Sequence, residues 1–197
     1  MSTDHQFDEL RTHISQMVAL NDADWELLRT HLTIEKFKKH EFFSENGKIA
    51  NDVAFIIEGM FRQFYIKDGD EKTTYFFFEN NLLCSYISCL TRTPSLVSIE
   101  ALSSGFYIKF PYSVLEQLYQ QSAAWQKFGR LIAEYTTIGL EARMADLLMK
   151  SPEERYTDLL KGNKNKILER IPQHYVANYL GITPVSMSRI RNRILKK

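Results

Sequence analysis

The spacing of apolar side chains divides the chain into stretches of different period. Phe7, Leu10, Ile14, Met17 and Val18 recur at intervals of three and four, which predicts a helix over residues 4–20. Asp22 is placed to cap a second helix, Ala23 to His31, with Trp25, Leu28 and Leu32 on one face. From Ile34 the period changes. IEKF, EFFS, VAFIIEG, MFRQFYIKD, KTTYFFFEN, LVSIEAL and GFYIKFP are short runs dense in β-branched and aromatic residues. Asn46-Gly47, Glu58-Gly59, Asp68-Gly69-Asp70 and Ser103-Ser104-Gly105 separate them, so an antiparallel barrel or jelly roll is expected. Asp68-Gly69 suits a hairpin turn.

Strand signals stop at Pro111. Tyr112–Gln120 reads as a short helix and Ser122–Lys150 as a long one, spanning roughly 40 Å at 1.5 Å per residue. Trp125, Phe128, Leu131, Ile132, Tyr135, Ile138, Ala142, Ala145 and Leu148 form its apolar stripe. Such a stripe packs either on its own barrel or on a partner helix. One long helix beside a small barrel leaves an apolar face uncovered, so a dimer is the expectation. Ser151-Pro152-Glu153-Glu154 then starts another helix, with proline at its first position and acids in its first turn.

With 197 residues, 44% hydrophobic and 25% charged, the chain is long enough for one large domain or two small ones and has an ordinary globular composition. No run of 18 apolar residues predicts a membrane span, and the N-terminus lacks the apolar segment of a secretory signal. Cys84 and Cys89 are the only cysteines, which excludes a disulfide scaffold and suits the reducing cytoplasm. The net charge of +1 hides a polarity. Residues 161–197 hold nine basic side chains (Lys161, Lys164, Lys166, Arg170, Arg189, Arg191, Arg193, Lys196 and Lys197) against one acid, Glu169, a net +8 that leaves −7 for residues 1–160. A basic end segment is a footprint of phosphate binding or, alternatively, a solvated face.

Ile171–Lys197 carries the chemistry. Gln173–Leu180 reads as a helix with Val176, Ala177 and Leu180 inward, ended by Gly181, and Thr183-Pro184 starts a second helix lined inside by Met187, Ile190 and Ile194. Counted from Gln173, a small residue stands fifth, glycine ninth, and apolar residues fifteenth and eighteenth. That is helix-turn-helix spacing, with a helical hairpin unrelated to DNA as its alternative. Pro184, Val185, Ser188, Arg189 and Asn192 are expected to face outward toward base edges, Arg189 as a bidentate donor to guanine. Thr183, Ser186 and His174 suit phosphates. Arg191, Arg193, Lys196 and Lys197 read as generic charges for the DNA backbone or, for some of them, as solvated side chains only.

A roll, a long helix and this C-terminal pair resemble the cyclic-AMP receptor protein/FNR family of bacterial transcription regulators across nearly the whole chain. The match is most specific at GITPVSMSRIRNRI, similar to the TP-x-x-x-SRIR recognition helices of a Bacteroidetes-like branch. The resemblance implies an α+β fold: a sensor β-roll with N-terminal helices (1–120), a long dimerisation helix (121–150) and an all-α helix-turn-helix end (151–197). It also implies a cytoplasmic homodimer on a near-palindromic double-stranded operator, with Arg189 at a base, Arg193 among the DNA contacts and RNA polymerase as a partner. Members usually continue into a β-hairpin wing. Only seven residues follow Ile190, so wing contacts are expected to be missing.

The resemblance also says what the roll lacks. Members that bind cyclic nucleotides carry G-x-x-x-GE for the ribose and Arg-Ser/Thr-Ala for the cyclic phosphate. Here ENNLLCSYISCLTRTPSLVSIEAL puts Ser85 where the glutamate belongs, Ser95 where the arginine belongs and Leu96 at the hydroxyl position. A buried cyclic phosphate without a cation is costly, and Arg92, three residues earlier, is expected to face solvent. The roll is therefore expected not to bind cyclic AMP in the usual way, and either to hold another small molecule among Tyr75, Phe77, Leu83, Ser85, Tyr86, Ser95 and Leu96 or to hold none. Two cysteines are too few for iron–sulfur sensing. The five histidines (His5, His13, His31, His40 and His174) fall outside the strand runs, which disfavours a cupin-type metal enzyme. No hydrolase or nucleotide-phosphate motif is present. The chain is read as no enzyme, with no cofactor or metal; the competing class is a small-molecule-binding or scaffold dimer that never touches DNA.

Overall fold

The computed structural model describes residues 3–161 and 164–195. Its order is α1 (Thr3–Ser15), α2 (Asp22–Arg29), β1 (Thr33–Phe37), β2 (Phe42–Ser44), β3 (Asp52–Glu58), β4 (Phe61–Lys67), β5 (Asp70–Phe77), β6 (Leu82–Leu83), α3 (Tyr86–Thr91), β7 (Val97–Ala101) and β8 (Gly105–Pro111). Then come α4 (Tyr112–Gln121), α5 (Ala123–Met149), α6 (Pro152–Leu159), α7 (Asn165–Arg170), α8 (Gln173–Leu180) and α9 (Pro184–Leu195). The strands form two antiparallel four-stranded sheets, β1-β8-β3-β6 and β2-β7-β4-β5. The architecture is α+β: a jelly-roll-like body, a long helix and a helical end.

The β4–β5 hairpin closes on Asp68 (φ 54°) and Gly69 (φ 84°) with Lys67 opposite Asp70. Two successive left-handed residues make the tight turn that matches strand twist. Sequence and structure part at several boundaries. α1 stops at Ser15, and the chain turns through Met17 N–H and Val18 N–H, both bonded to the Ile14 carbonyl, so the apolar spacing outlasts the helix. The cap of α2 is Asn21, whose Oδ1 accepts from Asp24 N–H at 2.8 Å; Asp22 is already helical and pairs with Arg11. Three elements carry no clear pattern: β6, with two residues, and α3 and α7, with six each, are too short for periodicity to declare them.

One core lies between α1, α2, α4, the start of α5 and the sheet holding β3 and β8, built on Leu10, Trp25, Phe55, Ile108, Leu118 and Trp125. A second fills the roll with Phe37, Phe61, Leu83, Ile99 and Tyr107. The third spans two regions. Phe76, Phe78 and Leu102 of the roll share it with Tyr156, Leu159, Ile171, Val176, Ala177, Leu180, Met187 and Ile190. Among the described residues no helix is long and apolar enough to cross a membrane.

Candidate functional site

α8 ends on Gly181 (φ 73°), with Gly181 N–H bonded to the Asn178 carbonyl and Ile182 N–H to the Ala177 carbonyl, each at 3.0 Å. This double closure needs a left-handed residue, where a side chain costs about 1–2 kcal/mol. Thr183 Oγ1 accepts from Ser186 N–H at 3.2 Å and opens α9 with Pro184 in its first turn. Val176, Ala177, Leu180, Met187 and Ile190 are all buried between α8 and α9. Ala177 has no exposed surface, which is where a small side chain lets the two helices cross closely.

His174, Thr183, Pro184, Val185, Arg189, Asn192 and Arg193 are exposed, while Ser186 and Ser188 are half-buried. The structure therefore gathers the predicted nucleic-acid residues on one outer face of α9 and the turn before it, with His174 on α8 resting against Tyr175 at 3.9 Å. Arg193 is engaged with Glu153 at 2.7 Å. Lys196 and Lys197 lie outside the described residues. Other bases of the C-terminal segment touch the roll at its surface: Arg170 makes a two-point ion pair with Glu79 at 2.6 Å per bond, and Lys166 sits 5.0 Å from the Phe78 ring. Part of the basic charge thus ties the helical end to the roll.

The seven candidate pocket residues do not converge on one space. The Ser85 and Ser95 hydroxyls are 2.7 Å apart and buried; Ser95 donates to the Val97 carbonyl at 2.7 Å, so Ser85 donates to Ser95. The two groups standing in for a glutamate and an arginine satisfy each other. Leu96 points outward with 70% of its surface exposed, and Asn46 Nδ2 holds its carbonyl at 2.9 Å. Tyr86 packs toward Tyr112, 6.4 Å between ring centres, on the side of the first core. Leu83 is buried in the roll with Phe77 beside it, and Tyr75 packs edge-on to Phe77 at 4.8 Å. Burial, and the hydroxyl of Tyr135 on α5 beside it, hold the Tyr75 phenol above the ordinary tyrosine range. Arg92 is turned onto α4, where it pairs with Glu116. Cys84 and Cys89 are free thiols that burial pushes up to about 12 and about 11, which disfavours the thiolate at neutral pH.

A polar site that periodicity does not reveal lies where the roll meets α8. Arg62 (3% exposed) gives Nε and Nη2 to Glu100 Oε2 at 2.8 and 2.5 Å, and Nη1 to Glu71 at 2.6 Å. Its guanidinium is stacked between Phe64 (4.0 Å) and Tyr175 of α8 (4.1 Å). Burial opposes the charge, yet the hydrogen bonds that Arg62 donates to Glu71 and Glu100 hold it above its ordinary value. The other Glu100 oxygen meets His40 Nδ1 at 2.7 Å. An arginine in an aromatic strand run was the one available signal. Along α5 only Trp125 and Phe128 are buried; Tyr135, Ile138 (68% exposed), Met144, Leu148 (76%) and Met149 face outward.

Residues 34–122, β1 through α4, match the family described as Cyclic nucleotide-binding domain. No curated protein sequence matches the chain. Among solved structures it is similar to FixK2 from Bradyrhizobium japonicum (18% identity, 84% of this chain and 85% of that one, TM-score 0.69). It is also similar to a CooA mutant from Carboxydothermus hydrogenoformans (14%, 91% and 88%, TM-score 0.67). A third is a transcriptional regulator from Eubacterium rectale, titled as putative and of the crp/fnr family (20%, 89% and 84%, TM-score 0.62). Across the roll, the long helix and the C-terminal helices, this chain has the fold of those proteins.

Proposed function

We propose that this protein is a sequence-specific DNA-binding transcription regulator that acts in the cytoplasm as a homodimer and is not an enzyme. Residues 1–120 serve as the sensor, 121–150 as the dimerisation helix and 151–197 as the DNA-binding head. The observation that carries the reading is the α8–Gly181–α9 unit. Val176, Ala177, Leu180, Met187 and Ile190 are buried inside it and Ile194 is half-buried, while Pro184, Val185, Ser188, Arg189 and Asn192 lie on the opposite face with the helix N-terminus leading. Arg189 reads a base, and Thr183, Ser186 and His174 hold phosphates. The exposed apolar residues of α5 support a partner helix there.

The roll is a sensor that has lost the usual cyclic-nucleotide chemistry. Ser85 and Ser95 are spent on each other and Arg92 on Glu116, so the positions that the resemblance assigns to a cyclic phosphate offer it no free cation. Calorimetry with cyclic AMP is expected to show no micromolar binding. The decisive experiment selects bound duplexes from a random DNA pool and then measures affinity against salt. A selected near-palindrome with affinity falling steeply as salt rises is expected. Arg189→Ala then weakens the operator by about 1–3 kcal/mol and leaves non-specific binding nearly unchanged. A protein with no salt-dependent affinity for DNA is instead a scaffold or small-molecule-binding dimer.

A further inference from the structure

We infer that Asn178 is a positioning residue of the head: its carboxamide docks α8 on the open edge of β5, where a neighbouring strand would sit. The inference rests on the DNA-binding reading above. β5 is the outer strand of its sheet, paired to β4 on one side only. An outer strand carries a row of backbone groups with no partner strand. Asn178 Oδ1 accepts from Thr73 N–H at 2.6 Å, and its Nδ2 donates to the Glu71 carbonyl at 2.8 Å. Those are the two bonds that the N–H and C=O of one residue on a parallel strand would make opposite Lys72.

The dock has further points of attachment on the same side. Tyr175 covers Arg62, Phe76 packs on the Tyr179 ring at 5.3 Å, and Arg170 holds Glu79. The C-terminal end of α8 is fastened as well. Arg143 donates to the Tyr179 carbonyl, and Arg155 Nη2 to the Leu180 carbonyl at 2.9 Å. Arg155 Nη1 also binds the Lys150 carbonyl at 2.6 Å, at the end of α5. α8 is therefore mounted between the sensor sheet and the long helix. α9 follows it after the short Gly181–Thr183 turn and packs on it through Met187 and Ile190, so the direction of α8 sets that of α9. The outer face of α9 stays exposed in this arrangement, so the mount orients the reading face and does not cover it.

The test compares wild type with Asn178→Ala in the full-length protein by amide hydrogen exchange and by affinity for the selected operator. The expected result is exchange at least tenfold faster at the Thr73 amide and faster exchange across residues 173–195, with β3 and β8 unchanged. Operator affinity falls about tenfold, equivalent to about 1.4 kcal/mol, while non-specific affinity stays within about twofold. Asn178→Asp keeps the acceptor for Thr73 but sets an oxygen against the Glu71 carbonyl. It retains part of the Thr73 protection, falls between the other two proteins, and serves if the alanine variant does not fold. Unchanged exchange in β5 and α8 overturns the inference. So does unchanged or rising operator affinity with a released head, because the dock then does not position α9 for binding. If the wild type binds no DNA, the regulator reading fails, and the exchange data alone decide whether Asn178 mounts α8.

Discussion

Replacing Arg62 by methionine tests the polar junction most directly. The substitution keeps an unbranched apolar stem and removes three hydrogen bonds, two to Glu100 and one to Glu71. Glu100 is 6% exposed, so its carboxylate is left in the interior with His40 as its remaining partner. Breaking a buried pair from one side typically costs about 3–5 kcal/mol, because the other charge stays desolvated and unmatched. Loss of the stacking between Phe64 and Tyr175 adds about 0.5–2 kcal/mol. Glu100→Leu is expected to cost about the same as Arg62→Met for the mirror-image reason. The double variant is expected to recover most of that loss, since an apolar pair of similar volume avoids both desolvation costs. The assay is urea unfolding followed by the fluorescence of Trp25 and Trp125, at one protein concentration so that any subunit equilibrium is held constant. Single costs below about 1 kcal/mol, or costs that simply add in the double variant, would refute the reasoning.

Three further outcomes follow from the geometry. Hydrogen bonding to Arg170 holds the Glu79 carboxyl down at about 2, against an ordinary 4.5, so its contribution is complete above about pH 4.5 and fades as pH falls toward 2. The pair is partly exposed, so the urea-midpoint difference between wild type and Glu79→Gln should correspond to less than about 1 kcal/mol at neutral pH and shrink across that window; a difference that grows on acidification would contradict the assignment. Ile138→Asp places a charge in the exposed apolar stretch of α5, and sedimentation should show the proposed dimer dissociating at micromolar concentration while the circular dichroism of the subunit is kept. Gly181→Ala meets only Arg155 Nη2, 3.8 Å from the added carbon, so its cost is the left-handed backbone alone, about 1–2 kcal/mol by thermal or urea unfolding, and a neutral result would count against the turn geometry.

The residues that could be read in advance are those whose role is local. Gly181, Thr183 and the buried positions Val176, Ala177, Leu180, Met187 and Ile190 follow from spacing, because turn geometry and helical period act within a few residues. The hairpin at Asp68-Gly69 was legible for the same reason. Tyr86 and Leu96 show the limit. Placing them in a pocket rests on alignment to a pattern, whereas a six-residue helix turns Tyr86 toward Tyr112 and the loop after it turns Leu96 to solvent.

The chain's own order of residues determined the roll, the long helix and the α8–Gly181–α9 pair, since each depends on apolar period and turn chemistry at short range. It also determined the charge division between residues 1–160 and the basic end. Only the tertiary structure decided where that charge goes. Arg170 meets Glu79 across 91 positions and Asn178 meets Glu71 across 107, so no local rule pairs them. Those contacts exist because the open edge of β5 and the buried charge of Arg62 need partners, and α8 supplies them when the two regions pack around Phe76 and Phe78.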